Sequence, residues 1–395
     1  MPSASRTRYR PLSGAHETSV AIVGGGMTGA LVAQAFASAG IPVTVVEAGL
    51  VARGSTAASS ALLLHEPDLE LTQLETRYGP RASRRIWRLS QESVGQLVGL
   101  LTRLRIRCEL EKRHSVYFAV DEGAVQRLEQ EYRIRRRAGF EAEWLSTGEL
   151  RRLTGISGRG AIRTRGSAQF DPYRACRGVL GSAAAAGAVI FERSPVQRID
   201  VRRNCVRLLT NHGRIEAKQV VIATGYATSR FRPLAGRFRM YRTYVLATER
   251  IGASQRDELG LSDVMVWDTD RPYHYARWTP DHRLLLGGGD QLVRPGQQHR
   301  RQFEQASRDL RAYFEARLPA LASINTDAAW DGLFAMTPDG LPYIGPHRRY
   351  PRHWFALGYG GNGMTFGFLA ARLLLERWQG SRSGDHGLFE FGRFS

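Results

Sequence analysis

Ser19-Val20-Ala21-Ile22-Val23-Gly24-Gly25-Gly26-Met27-Thr28-Gly29 reads as a strand, a tight glycine turn and the first turn of a helix. Gly24 permits the turn, Gly26 lets the backbone approach a pyrophosphate, and Gly29 lets the helix pack against the strand. Met27 and Thr28 open the helix, whose N-terminal N–H groups present partial positive charge to that pyrophosphate. A second apolar run, Pro42-Val43-Thr44-Val45-Val46, ends in Glu47 and Ala48. The Glu47 carboxylate falls where a ribose hydroxyl pair needs an acceptor. Strand, triplet, helix and terminal acid in one unit predict a dinucleotide site.

The chain has 395 residues and a formal net charge of +19, long enough for a large core and two lobes. Lys112 and Lys218 are its only lysines. The arginines are scattered, with short runs at Arg84-Arg85, Arg135-Arg136-Arg137 and Arg300-Arg301. That pattern reads as solvated surface, so nucleic acid is not the expected partner, although a basic face keeps an RNA-docking alternative open. Cys108, Cys176 and Cys205 show neither metal-ligand nor disulfide spacing, and no metal is expected. No apolar run is long enough to span a bilayer. The N-terminus is polar and lacks the stretch of a secretory signal, which predicts a cytoplasmic protein.

Working outward from the first unit, Arg53-Gly54-Ser55-Thr56-Ala57-Ala58-Ser59-Ser60 is rich in small and hydroxyl residues that can run under a flat ligand. Ile86, Leu89, Val94, Leu97, Leu101 and Leu104 recur at helical spacing, and Val125, Leu128 and Tyr132 predict a second helix. Ser146-Thr147-Gly148-Glu149 has the form of a capping box. These helices are expected in a second lobe. Asp171-Pro172-Tyr173 precedes an alanine-rich helix ending at Gly187. Strands are expected at 188–191 and 219–222, the latter running into Ala223-Thr224-Gly225. Phe303, Ala306, Leu310 and Phe314 mark one face of a further helix. The glycine-rich turn 358–365 leads into a last apolar helix through Leu369, Leu373 and Leu374.

Seven stretches together resemble the D-amino-acid oxidase superfamily of flavoproteins, which includes glycine and sarcosine oxidases. They are Val23 to Gly29, Glu47, Gly54-Ser55-Thr56, Asp171-Pro172, Ala223-Thr224-Gly225, Thr337-Pro338-Asp339-Gly340-Leu341-Pro342 and Gly360 to Thr365. The resemblance implies an α/β fold: a Rossmann-like FAD-binding domain and a second α+β substrate domain built on an antiparallel sheet. It implies a discontinuous FAD domain at 18–80, 155–230 and 325–380, a substrate domain at 81–154 and 231–324, and terminal extensions at 1–17 and 381–395. It also implies FAD bound extended. Gly24, Gly26, Met27, Thr28 and Gly29 would take the pyrophosphate, Glu47 and Ala48 the adenosine end, and Val196 the adenine. Arg53, Gly54, Ser55, Thr56 and Ser59 would border pyrophosphate and flavin, with Ala223, Thr224 and Gly225 beneath. Gly360, Gly361, Asn362, Gly363, Met364 and Thr365 would approach the flavin pyrimidine edge, where a helix N-terminus stabilises the charge of reduced flavin. Non-covalent FAD is expected, because Ala57 and Ala58 stand where some relatives carry a linking histidine and the last cysteine is Cys205.

The reaction the resemblance implies is oxidation of a carbon–nitrogen bond by hydride transfer to the flavin, followed by imine hydrolysis. It needs orientation and a dry pocket more than an acid–base pair. Three cations of the family are replaced: Phe334, Ala61 and Thr365 occupy their places. Glu66 or Asp68 could instead pair with a cationic amine, and Tyr273, Tyr275 and Trp278 offer an aromatic wall. Tyr244 and Thr365 complete the candidate catalytic set, while His274 should point away. The expected substrate is a small-molecule amine without an α-carboxylate. One alternative is an N-alkyl or D-amino acid held by Arg242 or Arg277. Others are a flavoprotein acting on transfer RNA and a non-catalytic flavin-binding module. The acceptor is O2 or a protein or quinone. Leu285 stands at the place of the oxygen-activating lysine, which predicts slow reaction with O2.

Overall fold

The computed structural model describes residues 8–260, 264–294, 296 and 298–393. The expected terminal extensions therefore lie partly outside the described residues, at 1–7 and 394–395. In chain order the first half holds β1 (Gly14–Val23), α1 (Met27–Ser38), β2 (Val43–Val46), α2 (Ser55–Ala58), β3 (Leu62–Leu63), α3 (Leu71–Arg103), β4 (Glu111–Phe118) and α4 (Glu122–Arg137). Then come β5 (Glu143–Leu145), α5 (Thr147–Thr154), β6 (Ala161–Gln169), α6 (Pro172–Ala185), β7 (Val189–Phe191), β8 (Arg198–Val201), β9 (Val206–Leu209) and β10 (Gly213–Gly225). The remainder is α7 (Arg232–Ala235), β11 (Arg239–Thr248), α8 (Ala253–Leu259), β12 (Val264–Asp268), β13 (His274–Trp278), β14 (Leu284–Leu292), α9 (His299–Arg317), β15 (Thr326–Met336), β16 (Tyr343–His347), β17 (Tyr350–Leu357) and α10 (Gly363–Trp378).

Two sheets organise the chain. The first runs β16-β17-β10-β1-β2-β7, with β9 and β8 joined at β10. Its central pairs, from β17 to β7, are parallel. Val20 and Ile22 point to one face, into a core shared with α1, α3, α6 and α10. Ala21 points to the other, against β9, Phe231, Leu234 and Phe391. The second sheet runs β15-β11-β14-β13-β12-β4-β6-β3 and is antiparallel apart from the β12–β4 pair. α9 buries Ala306, Leu310 and Phe314 against one of its faces.

Several local expectations meet the structure directly. Ser146 caps α5 in a capping box with Glu149, and Asp171 caps α6. Other expectations are corrected. β1 begins at Gly14, because His16, Glu17 and Thr18 pair with β10 although they lack an apolar pattern. α3 does not join the second lobe: Ile86, Leu89, Val94, Leu97 and Leu101 share the core of α1 and α10. β6 and β15, placed by sequence in the cofactor domain, belong to the second sheet. Boundaries at 155 and 325 therefore cut across its pairing. A sheet is closed by hydrogen bonds between distant segments, which local pattern does not report.

Candidate active site

The two sheets meet around an elongated cavity of about 540 Å³, within the usual range for a small-molecule site. One end is built by the β1–α1 turn. A Cβ on Gly24 would sit 2.5 Å from the Ala223 carbonyl oxygen, and one on Gly29 would overlap the Gly24 carbonyl oxygen. Only glycine therefore allows α1 to start against β1 while β10 passes alongside. The Met27 N–H donates to Thr56 Oγ1 (3.0 Å), which ties α1 to the Gly54–Ser60 loop. Ser55 Oγ donates to the Leu333 carbonyl (2.7 Å), fastening the same loop to β15. Glu47 accepts from the Gly25 and Gly49 N–H groups at 2.7 and 2.8 Å, fixing its carboxylate at the end of β2.

At the opposite end the Gly360–Met364 turn delivers the N-terminus of α10 to the cavity. Asn362 stands at the N-cap without capping the helix. Its side chain donates instead to Asp68 Oδ1 (2.8 Å), and the Gly361 N–H donates to Asp68 Oδ2 (2.7 Å). A Cβ on Gly360 would overlap the Asp68 carboxylate. The cavity thus has a positive helix end at each extremity, cradles that a side chain would fill, and small residues between them. A pyrophosphate fits the α1 end and the pyrimidine edge of a flavin fits the α10 end, so the residues present suit FAD. Among the described residues, no histidine or cysteine lines the cavity to link it covalently.

Of the sequence-named residues, Gly24, Gly26, Met27, Thr28, Glu47, Ala48, Arg53, Gly54, Ser55, Thr56 and Ser59 line this cavity. So do Val196, Ala223, Thr224, Gly225, Gly360, Gly361, Asn362, Gly363 and Met364, together with Glu66, Tyr273 and Tyr275. Gly29 lies just beneath the turn. Six residues are placed elsewhere. Tyr244 points away from the cavity into the α9-covered core, because alternation along β11 gives the cavity Thr243 instead. Thr365 turns inward and donates to the Leu64 carbonyl (3.2 Å). Arg277 is buried beyond the end of the cavity, its guanidinium on the carbonyls of Ser60 (2.5 Å), Trp278 (3.2 Å) and Phe170 (3.5 Å). Burial pushes it down to about 10. Arg242 pairs with Asp331 outside the cavity. Trp278 is buried in the same core as Tyr244, and Leu285 is likewise off the lining. His274 points away as expected, stacked on Tyr313 at 3.6 Å and bonded to Asp268.

The charge at the reacting end is one-sided. Glu66, Asp68 and Asp290 line it, and among the described residues the only lysine or arginine on the lining is Arg53, beside the Gly54–Ser60 loop. Glu66 is fully buried: Ser115 donates to Oε1 at 2.9 Å and Arg135 pairs with it at 3.3 Å. Arg135 also grips Glu131 at 2.7 Å and lies over Trp87. Burial pushes Asp68 up to about 6, opposed by the Gly361 N–H, Arg271 and Asn362. Burial also pushes Asp290 up to about 7, helped by the charge of Asp68 and opposed by Thr243 and His274. Tyr273 and Tyr275 are held above their usual range, mainly by burial, and stay protonated donors. Asp290, Trp267 and Thr243 escaped the sequence reading. The signal for Asp290 was the run Gly287-Gly288-Gly289, since glycine inside a strand marks a bulge or close approach.

Known proteins resemble this chain in sequence and fold. The chain is 27% identical over 385 residues to gamma-glutamylputrescine oxidoreductase of Escherichia coli (strain K12), covering 96% of this chain and 88% of that protein. It is 26% identical over 353 residues to glycine oxidase of Bacillus licheniformis, covering 87% and 88%. The crystal structure of glycine oxidase from Geobacillus kaustophilus superposes with a TM-score of 0.81 at 22% identity, covering 96% of this chain and 98% of that one. The family described as FAD dependent oxidoreductase (DAO) matches residues 19–377, and with a cavity shaped for its cofactor the chain belongs to that family of flavoenzymes.

Proposed function

We propose that this FAD-dependent oxidoreductase oxidises the carbon–nitrogen bond of amines that carry no α-carboxylate. The observation that carries the reading is the charge of the reacting end: Glu66, Asp68 and Asp290 line it and, among the described residues, no lysine or arginine does, Arg135 lying behind Glu66. A substrate carboxylate there would be buried unpaired beside like charges, at a cost of several kcal/mol. An ammonium group would find partners, and the faces of Tyr273, Tyr275 and Trp267 favour a cation by about 1–2 kcal/mol when desolvated. The similarity to gamma-glutamylputrescine oxidoreductase agrees with a substrate oxidised at an amine.

FAD, when bound, supplies the acceptor for a hydride equivalent from the carbon next to nitrogen. The protein's own part is positioning. Tyr273, Tyr275 and Phe334 would wall the space beside a bound flavin, and the α10 N-terminus would offer positive potential to its pyrimidine edge. The experiment is anaerobic bleaching of the flavin. Benzylamine, 1,4-diaminobutane or N-methylbutylamine should bleach it faster than glycine, sarcosine or D-alanine. Bleaching by the amino acids alone sinks the reading. A carboxylate-lined cavity without a lysine also disfavours the superoxide anion formed as O2 takes an electron. Reduced enzyme should therefore reoxidise slowly in air and quickly with a quinone. Fast peroxide release in a stopped-flow experiment would contradict this.

A further inference from the structure

β11 and β14 pair regularly up to Tyr244 opposite Gly288, and again from Arg242 opposite Gln291. Between these pairs, Thr243 on β11 faces two residues on β14, Gly289 and Asp290. That is a β-bulge, and bulges beside sites re-aim a side chain. The backbone supports it: Gly288 has φ +129° and Gly289 φ +64°. A Cβ on Gly288 would overlap the Tyr273 carbonyl oxygen, and one on Gly287 would overlap the Tyr275 ring. Three glycines thus let β14 press against β13, and the extra residue brings Asp290 to the cavity wall. There Oδ1 is buried and has no hydrogen-bond partner among the described residues. Leaving a buried acceptor without a partner is unfavourable, more so when it is charged, and a ligand proton removes that cost.

Amine oxidation creates a need for such a group. An amine in neutral water is an ammonium ion, and its nitrogen must free a lone pair before the neighbouring carbon can release hydride. We propose that Asp290 is the catalytic base that receives the substrate ammonium and takes one of its protons. The transfer is balanced: an N–H bond breaks, an O–H bond forms at Oδ1, and nitrogen keeps the electron pair. Asp68 cannot serve equally, since both its oxygens already accept from Gly361 and Asn362. Glu66 Oε2 is likewise without a partner among the described residues, but the Glu66 charge is already paired with Arg135, which Asp290 lacks. Thr243, Tyr273 and Tyr275 share the cavity wall with Asp290, Asp68 stands on the loop before α3, and the charges of Tyr244 and His274 reach Asp290 from the far face of the sheet. Burial above all pushes Asp290 up to about 7, with Asp68 adding to the rise and Thr243 and His274 opposing it, near the operating pH a general base needs. The inference rests on the amine reading above.

The test uses FAD-loaded protein and tert-butylamine, which carries an ammonium group but no hydrogen on its α-carbon. It binds without turnover and is read through the flavin spectrum. Binding to the unaltered protein should tighten about tenfold from pH 6 to pH 8, following ionisation of a group at about 7. Asp290→Asn, checked for FAD content and melting temperature, should bind at least tenfold more weakly with no pH dependence. Its anaerobic reduction by benzylamine at pH 7.5 should slow by a factor of about 100 or more. Thr243→Val removes a hydroxyl that favours the ionised carboxylate, so it should move the midpoint to higher pH, a change that a purely structural Asp290 would not show. If Asp290→Asn binds and reacts like the unaltered protein, or Thr243→Val leaves the midpoint in place, the assignment of Asp290 is overturned while the amine reading stands. If tert-butylamine leaves the unaltered protein's spectrum unchanged and only amino acids bleach it, both fall.

Discussion

Gly29 has no room for a side chain, since any Cβ there meets the Gly24 carbonyl oxygen. Gly29→Ala should therefore cost about 1–3 kcal/mol of overpacking and strip FAD from the purified protein, measured as visible absorbance per chain. Asp68 and Asp290 make a second prediction. Each has a folded pKa above the ordinary carboxylate value of 3.8. Between that value and about 6 to 7 the folded chain holds more protons than the unfolded one, so stability falls as pH rises through this window. In flavin-free protein, Asp290→Asn should remove its share. The variant's melting temperature should lose less than the parent's between pH 4 and pH 8, and equal losses would refute this. The glycine triplet and Glu47 were legible at this scale because each answers to a local geometric demand. Arg277 was not. It shares the alternation of Tyr273 and Tyr275, but each two-residue step along a strand advances about 6.8 Å, and the cavity ends before Arg277 is reached.

Among elements, the β14 bulge matters most. Gly289 sits in the left-handed region, and a Cβ added there would meet nothing within 4 Å, so conformation, not space, limits the residue. Asparagine tolerates that region and β-branched residues do not. Gly289→Asn should keep most activity. Gly289→Val should cost about 1–2 kcal/mol and raise KM for the amine with FAD content unchanged, as Asp290 is turned from the wall. The opposite ranking in thermal melts and kinetics would count against the bulge. The glycine run 287–289 marks a bulge somewhere in β14, but which residue it turns to the cavity is decided by the register with β11, which the sequence does not carry. α3 teaches the same lesson. Its Leu and Ile spacing specifies a buried face, but not that the face meets α10. The bend at Gly79-Pro80 that steers it there is a backbone event.

In the whole molecule, the C-terminal tail is tied back to the cofactor side. Arg393 meets Asp339 with Nε–Oδ2 of 2.7 Å and Nη2–Oδ1 of 2.9 Å, both side chains buried. Burial alone would push Asp339 up, but the hydrogen bond and charge of Arg393 hold it below the usual range. Its contribution is present at neutral pH and is lost as pH falls below about 4. Arg393→Ala leaves that carboxylate buried and unpaired, which should cost about 3–5 kcal/mol in chemical denaturation. A cost under 1 kcal/mol would show the tail to be ornamental. Asp339 belongs to the Thr337–Pro342 stretch that the sequence flagged, whereas its partner 54 residues on carried no signal. No described helix is long and apolar enough to cross a membrane.

The cavity draws its walls from Gly24 near the start of the chain, Ala223 in the middle and Met364 near the end. A ribosome must therefore release the chain past Met364 before both ends of the coenzyme's cradle exist. Loading follows synthesis, and a message broken before the Gly360 codon yields a colourless product.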